Sequence, residues 1–357
     1  MNKLYMRKII LLSCIAVLLC IYIVQLALSR RTGIKAMPLA GEVDSLTIQT
    51  AASEVRLTRK DGSWFVSRGE GQTEYEASQA IVDSLLTDVK DLKLLATASR
   101  SAGSDSARYG LDDASKIVVT AYTGQTAVRT LHVGKATSTN SQNYVQLDND
   151  AAVYIVGASL HRDFDKQCDD IRSKSIYSLG DDAKIEQIRC TVYPDTGAET
   201  SAAAESGQDA GKGQTERYSF VREEAAGGTA DEASAANARD AGGDSVSLSK
   251  ASWKLTSGTL EDGKEVDGDK VSGWISSLSL LSASAWLADN ATVPAGYEPA
   301  SELSFTAGGK DYRMKLYKGK EGEEDAYVMS CSETPYLFKV ASYMAARYNK
   351  RLSDLSK

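Results

Sequence analysis

The chain has 357 residues, 42% of them hydrophobic, with 41 Lys and Arg against 48 Asp and Glu for a net charge of −7. Its first 35 residues hold six bases and no acid, so the remaining 322 carry a net −13; a body this acidic argues against binding nucleic acid through phosphate neutralisation. Two histidines, His132 and His161, and five cysteines without a C-x-x-C spacing remove most zinc sites and most histidine-based catalytic arrangements.

The N-terminus points to a compartment. Residues 9–28, IILLSCIAVLLCIYIVQLAL, are twenty residues without a charge. At about 1.5 Å rise per residue, a helix of that length crosses the ~30 Å hydrocarbon core of a bilayer. A signal peptide has an apolar region of only about 7–15 residues, so the run reads as an uncleaved single-pass anchor in the lipid bilayer. Ala27-Leu28-Ser29 has the small-x-small form of a cleavage site, which leaves cleavage as the alternative. Lys3, Arg7 and Lys8 precede the span and Arg30, Arg31 and Lys35 follow it. That balance is nearly even, but long domains translocate largely regardless of flanking charge. The expected arrangement is a cytoplasmic tail and an extracytoplasmic body at the cell membrane. Cys14 and Cys20 lie in the span. Cys168, Cys190 and Cys331, odd in number and widely spaced, read as three buried free thiols, with one optional pair as the alternative.

After the span, residues 43–50 and 54–60 alternate apolar and polar as half-buried strands do. Asp61-Gly62 signals a hairpin turn before Trp64-Phe65-Val66. Ser78 is placed to cap a helix running to about Lys93, with an apolar stripe at positions 81, 82, 85, 86, 89 and 92. A polar loop, the turn Tyr109-Gly110-Leu111, strands over 117–122, 127–133, 144–147 and 153–156, and a short helix near Ala158 complete this stretch. A second stretch reads similarly: a strand over 252–256, a helix from Asp267 to about Leu281, strands over 302–307, 312–317, 326–329 and 336–338, and a helix over 341–349.

The likeness is residue by residue. Segment 110–121 resembles 296–307 at an offset of 186, and Trp64 matches Trp253 at 189. Tyr144-Val145 matches Tyr327-Val328, and Ala158-Ser159 matches Ala341-Ser342, both at 183. Three aligned blocks in one order predict two copies of one module over 43–179 and 184–355, after a tail and anchor over 1–35. The fold class is α+β: duplicated modules of antiparallel strands with a packed helix. Tracts 195–215 and 225–250, rich in Ala, Gly, Ser and Asp, read as low-complexity insertions around a strand at 217–221.

Chemistry-bearing motifs are few. The Gly-rich segment 207–213 (GQDAGKG) lacks the flanking strand and helix of a phosphate loop. Ser247-Leu-Ser-Lys250 lacks the companion motifs of serine acyl-transfer enzymes. Ser159 and His161, two apart on a helix, diverge; Ser159 reads as a cap and His132 as a surface residue. Segment 262–269 departs from the calcium-loop spacing, and Asp267 reads as a helix cap. No catalytic residue, cofactor or metal ligand is assigned.

The span, the strands ending in Trp64-Phe65-Val66, the helix over 78–93, the Tyr109-Gly110-Leu111 turn, Tyr144-Val145 and Val153-Tyr154-Ile155-Val156 together resemble the bacterial domain of unknown function 4340 family. In the second stretch the turn becomes Ala295-Gly296-Tyr297, a departure from the pattern. The family is similar to proteins found beside gliding-motility-type ABC transporter components. The resemblance therefore implies a membrane-anchored, extracytoplasmic, non-enzymatic accessory module whose partner is such a transporter or another envelope protein. An envelope hydrolase with an unidentified active site is the alternative.

Overall fold

The computed structural model describes residues 15, 17–23, 35–138, 141–180, 184–194, 214–223, 252–260, 264–319 and 327–357. Most of the expected span lies outside these residues. Residues 17–23 are helical with exposed side chains, and no helix among the described residues is long and apolar enough to cross a membrane. The low-complexity tracts, save 214 and 215, the Gly-rich segment 207–213 and Ser247–Lys250 also lie outside the described residues.

The chain divides into two units after Ser173. The first is built on one antiparallel sheet of ten strands: β1 (Lys35–Pro38), β2 (Ser45–Gln49), β3 (Glu54–Lys60), β4 (Ser63–Ser67), β5 (Glu74–Glu76), β6 (Asp91–Ser99), β7 (Ile117–Thr123), β8 (Thr126–Ala136), β9 (Asn143–Leu147) and β10 (Val153–Val156). Their spatial order is β1-β6-β10-β9-β8-β7-β2-β3-β4-β5. Two meanders, β2 to β4 and β7 to β10, thus lie side by side through the β2–β7 pair. Asp61 and Gly62 turn the first with φ of 49° and 85°, the doubly positive geometry that suits a two-residue hairpin.

One face of the sheet is apolar because side chains alternate along each strand. Ile117, Val119 and Ala121 are buried while Val118, Thr120 and Tyr122 are half-buried. Helices α1 (Gln79–Lys90), α3 (Leu160–Phe164) and α4 (Cys168–Ile171) pack on the sheet, α1 through Val82, Leu85 and Val89. A short α2 (Ser106–Tyr109) precedes β7. Ser78 and Ser159 occupy N-cap positions, but neither side chain makes a capping hydrogen bond. Helix α1 also ends three residues before the periodicity predicted. Leu92, which extends the helical stripe in sequence, is buried from a strand, where Leu92 and Leu94 alternate inward. Pairing with β1 and β10 outweighs helical propensity from Asp91 onward.

The second unit contains β11 (Ser175–Ser178), β12 (Ile185–Val192), β13 (Glu216–Glu223), β14 (Ser252–Ser257), β15 (Leu280–Ser282), β16 (Ala285–Trp286), β17 (Glu298–Ala307), β18 (Lys310–Lys318), β19 (Tyr327–Cys331) and β20 (Thr334–Lys339). Eight strands form a sheet in the order β14-β13-β12-β17-β18-β19-β20-β16, and β11 pairs with β15. The first module was expected to reach 179, whereas the strand at Ser175–Ser178 pairs within the second unit. Asp267 caps α5 (Gly268–Ser276), its carboxylate accepting from the backbone of Asp269 at 3.0 Å and Lys270 at 3.2 Å. The helix expected to reach Leu281 stops at Ser276, and a 3-10 turn over Ser277–Ser279 leads into β15. Helix α6 (Ser342–Tyr348) and a 3-10 turn at Leu352–Leu355 close the chain.

Taken strand for strand, β6-β10-β9-β8-β7-β2-β3-β4 and β16-β20-β19-β18-β17-β12-β13-β14 are the same order. The residue before the N-cap of each long helix also bridges to the residue after the last helical turn, Ala77 to Arg172 and Val266 to Ser356. Trp64 stands opposite Arg59 and Trp253 opposite Arg222. Trp64 is buried but Trp253 only half-buried. The first unit covers β4 with β5, whereas β14 is the outermost strand of its sheet among the described residues.

Candidate functional site

In the second unit, α5, α6 and the Leu352–Leu355 turn enclose an open cleft of about 470 Å³. Trp274 and Leu355 line its floor, and Lys270, Arg347, Lys350 and Asp354 stand around it. Its architecture follows from the helices. Val271, Trp274 and Ile275 face the core at helical spacing, which places Lys270 at the rim.

Backbone acceptors hold Lys270 and Arg347, and a carboxylate faces Lys350. The indole Nε1 of Trp274 donates to the Arg347 carbonyl at 2.7 Å, and the Arg347 guanidinium donates to the Ser277 carbonyl at 3.3 Å. Lys270 Nζ donates to the Ser356 carbonyl at 2.6 Å. Lys350 Nζ lies 3.7 Å from the Asp354 carboxylate, and the Tyr218 hydroxyl donates to the Lys350 carbonyl at 2.5 Å. A lysine ammonium carries three donors and a guanidinium five, so these contacts fix each head group while leaving donors over. Three bases against one acid give the cleft a local positive charge.

In the core of the second unit, Tyr177 and Tyr348 share a hydroxyl–hydroxyl hydrogen bond of 2.6 Å, and Tyr177 donates to the Leu278 carbonyl at 2.9 Å. Burial pushes both phenols above their ordinary range, so they act as neutral hydrogen-bonding groups. Burial likewise pushes the Cys190 thiol up to about 12 and raises that of Cys331. Cys168, Cys190 and Cys331 are buried free thiols, as their spacing predicts.

The first unit carries the opposite charge at the matching place. At the helix offset of 189 Asp88 corresponds to Ser277, and at the offset of 184 set by the Arg172 and Ser356 bridges Asp163 corresponds to Arg347 and Arg162 to Ala346. Burial pushes the Asp88 carboxyl up to about 6, with Asp163 adding to the effect and Arg162 opposing it. A carboxyl whose folded pKa lies above its unfolded value of about 4 favours the folded state when protonated. That stabilisation is complete below about pH 4 and is lost as pH rises through 6. Asp88→Asn should therefore raise stability at pH 7.5 by about 1 kcal/mol, a figure reduced for screening at a half-exposed group. Its advantage should vanish by pH 4. Thermal melts of parent and variant across that range test this; a constant difference would rule it out.

Features singled out in the sequence occupy other places. Tyr109 meets Tyr144 edge-on at 5.1 Å between ring centroids. Gly110 has φ +67°, and Tyr109 and Leu111 lie against Gly134. The turn is thus a packing element, and Gly296 (φ +86°) with Tyr297 lies against Gly319 in the second unit. His132 is half-buried opposite Val118 and Gln146 rather than on the open surface. Burial, with Lys116 nearby, holds its pKa below the ordinary value. His161 donates its backbone N–H to Asn143 Oδ1 at 3.4 Å. No cluster of three or more His, Cys, Asp and Glu suited to a metal occurs among the described residues. The sequence reading passed over Lys270, Arg347, Lys350 and Asp88, because charges on separate helices show no spacing until the helices pack.

These features define an α+β protein of two similarly ordered antiparallel sheets, each carrying helices on its apolar face, with a cationic cleft in the second unit. The chain belongs to the family described as a domain of unknown function (DUF4340), whose model matches residues 64–302. The match begins at Trp64 in the first unit and ends at Glu302 in the second, one run across the boundary rather than one match per unit. No curated protein and no solved structure matches the chain.

Proposed function

We propose that this protein is a single-pass membrane-anchored, extracytoplasmic accessory module that binds an envelope partner, an ABC transporter complex of the gliding-motility type, without catalysing a reaction. The observation that carries the anchor is the apolar run 9–28, in which Val17, Leu18, Leu19, Ile21, Tyr22 and Ile23 are at least half exposed on a helical segment. Large apolar side chains left that open favour hydrocarbon over water. The two units are read as copies of one module, supported by their shared strand order, the matched Ala77–Arg172 and Val266–Ser356 bridges and the aligned segments. The transporter association rests on the resemblance to the family. For the contact itself, β14, outermost in its sheet among the described residues, would offer backbone groups to an added strand.

A membrane-impermeant thiol crosslinker tests this in intact cells. Lys254 lies on β14 with its side chain two-thirds exposed, and the body's own cysteines are buried. Lys254→Cys should give a crosslinked product containing a permease subunit, while a cysteine at Asp105, remote from that strand in sequence, should not. Absence of labelling at both positions before lysis would place the body inside the cytoplasm. Labelling without a crosslinked permease would remove the transporter reading.

A further inference from the structure

We infer that the cleft between α5 and α6 is a docking groove for acidic side chains of a partner polypeptide. The inference rests on reading the chain as a binding module, and it names the chemistry of the partner at a second place on the body. Lys270, Arg347 and Lys350 converge on one opening with only Asp354 against them, in a body that carries −13 overall. Such an inversion of local charge is what orients an acidic partner, since the rest of the surface repels it.

The matching place in the first unit provides a comparison on the same scaffold. There the helices carry Asp88 and Asp163 where the cleft has Ser277 and Arg347, Ile81 where it has Lys270, and Arg162 where it has Ala346. Lys350 corresponds to Lys166, so that base is common to both units, and Asp354 corresponds to Asp170. Of these matched groups the first unit has three acids against two bases and the cleft three bases against one acid, so Lys270 and Arg347 are not requirements of the fold. Their placement is also prepared: backbone carbonyls of Ser356 and Ser277 hold Lys270 and Arg347, reducing the ordering cost of binding.

The floor selects the kind of acid. Trp274, Leu355 and Ala346 offer apolar surface beside the bases. A small hydrated anion would leave that surface wet, whereas a segment alternating acidic and apolar side chains covers it and pairs with the cations. An anionic membrane surface would be repelled by the acidic remainder of the body.

The test uses the full chain in neutral detergent and a synthetic peptide of alternating glutamate and leucine, followed by tryptophan fluorescence and calorimetry. The peptide should bind, and binding should weaken as salt rises. A peptide with glutamine in place of glutamate should not bind. The paired change Lys270→Gln with Lys350→Gln should weaken binding at least tenfold, and Asp88→Asn in the first unit should leave it unchanged. A Lys270→Arg with Lys350→Arg variant, which keeps the charge, should retain binding and so separates loss of charge from loss of fold. Unaltered affinity in the glutamine variant overturns the proposal. Equal occupancy of the cleft by inorganic phosphate, competing with the peptide at similar concentration, overturns it in favour of a small-anion site. Either result leaves the β14 crosslinking outcome untouched, so the two readings fail separately.

Discussion

Replacing Gly134 with alanine should destabilise the first unit by about 3 kcal/mol, the upper end of what overpacking costs. Built on this backbone, the new Cβ would lie 2.3 Å from the Tyr109 carbonyl oxygen and 3.2 Å from both Leu111 Cγ and the Tyr144 carbonyl. Two of these neighbours are backbone atoms, so the strand and the Tyr109-Gly110-Leu111 turn must separate. Separation also opens the Tyr109–Tyr144 ring contact and the small cluster of Ala102, Leu111 and Val153. At about 2–4 °C per kcal/mol for a domain of this size, the melting temperature should fall by roughly 6–12 °C.

The second unit supplies the control. A Cβ at Gly319 would meet the Tyr297 ring at 2.8 Å. A ring at the end of a side chain swings aside more readily than a carbonyl, so Gly319→Ala should cost about 1 kcal/mol or less. Differential scanning calorimetry of both variants decides the matter, and equal losses would show that the turn does not distinguish the units. Gly110→Ala should also be costly, because φ of +67° disfavours any Cβ and that Cβ would sit 2.7 Å from the Lys135 backbone nitrogen.

Arg129→Met should produce a loss of similar size by a different route. Arg129 is 6% exposed on β8, beneath the end of α1. Its guanidinium donates to the Val89 carbonyl at 2.8 Å and the Met37 carbonyl at 2.9 Å. Val89 belongs to the last turn of α1, whose carbonyls have no partner within the helix, and a cation there also interacts favourably with the helix dipole. Met37 belongs to β1, the first strand after the apolar run. One side chain thus ties the entry strand, the long helix and the sheet together.

Burial lowers the pKa of Arg129, with Asp148 opposing that shift, but a guanidinium stays charged. Methionine fills similar space and leaves two carbonyls without a donor, at about 3 kcal/mol in total. Lysine keeps the charge but lacks the planar fork, so Arg129→Lys should fall between parent and Met. Denaturant midpoints should rank the three proteins in that order. Amide exchange at Met37 should quicken in the Met variant first; unchanged exchange there would show that β1 is held by its pairing with β6 alone.

The strands came from local pattern, and most stand where alternation placed them. Asp61-Gly62 turns a hairpin, Asp267 caps a helix, and residues 216–223 form a strand between two tracts of low complexity. Helix ends were less legible. The stripe through position 92 suits a helix and a strand equally well, and only the pairing of β6 with β1 and β10 decides between them. The same ambiguity shortened α5 before β15. Ser78 and Ser159 show that a capping residue in the right position does not by itself make the bond.

By itself the sequence determined the α+β class, the strand pattern and its internal likeness, the buried free thiols and the family, because each rests on residues close together or repeated in order. The tertiary structure alone decided the strand order, the boundary at Ser173, the packing of Gly110 and Gly134, the buried Arg129 and the cationic cleft. Gly134 reads as one glycine among 28 until the turn at Tyr109 is laid against it. Lys270 and Arg347 read as ordinary surface charges until α5 and α6 bring them to one opening. Such features depend on contacts between distant segments, and side-chain periodicity carries no information about which distant segment will be the neighbour.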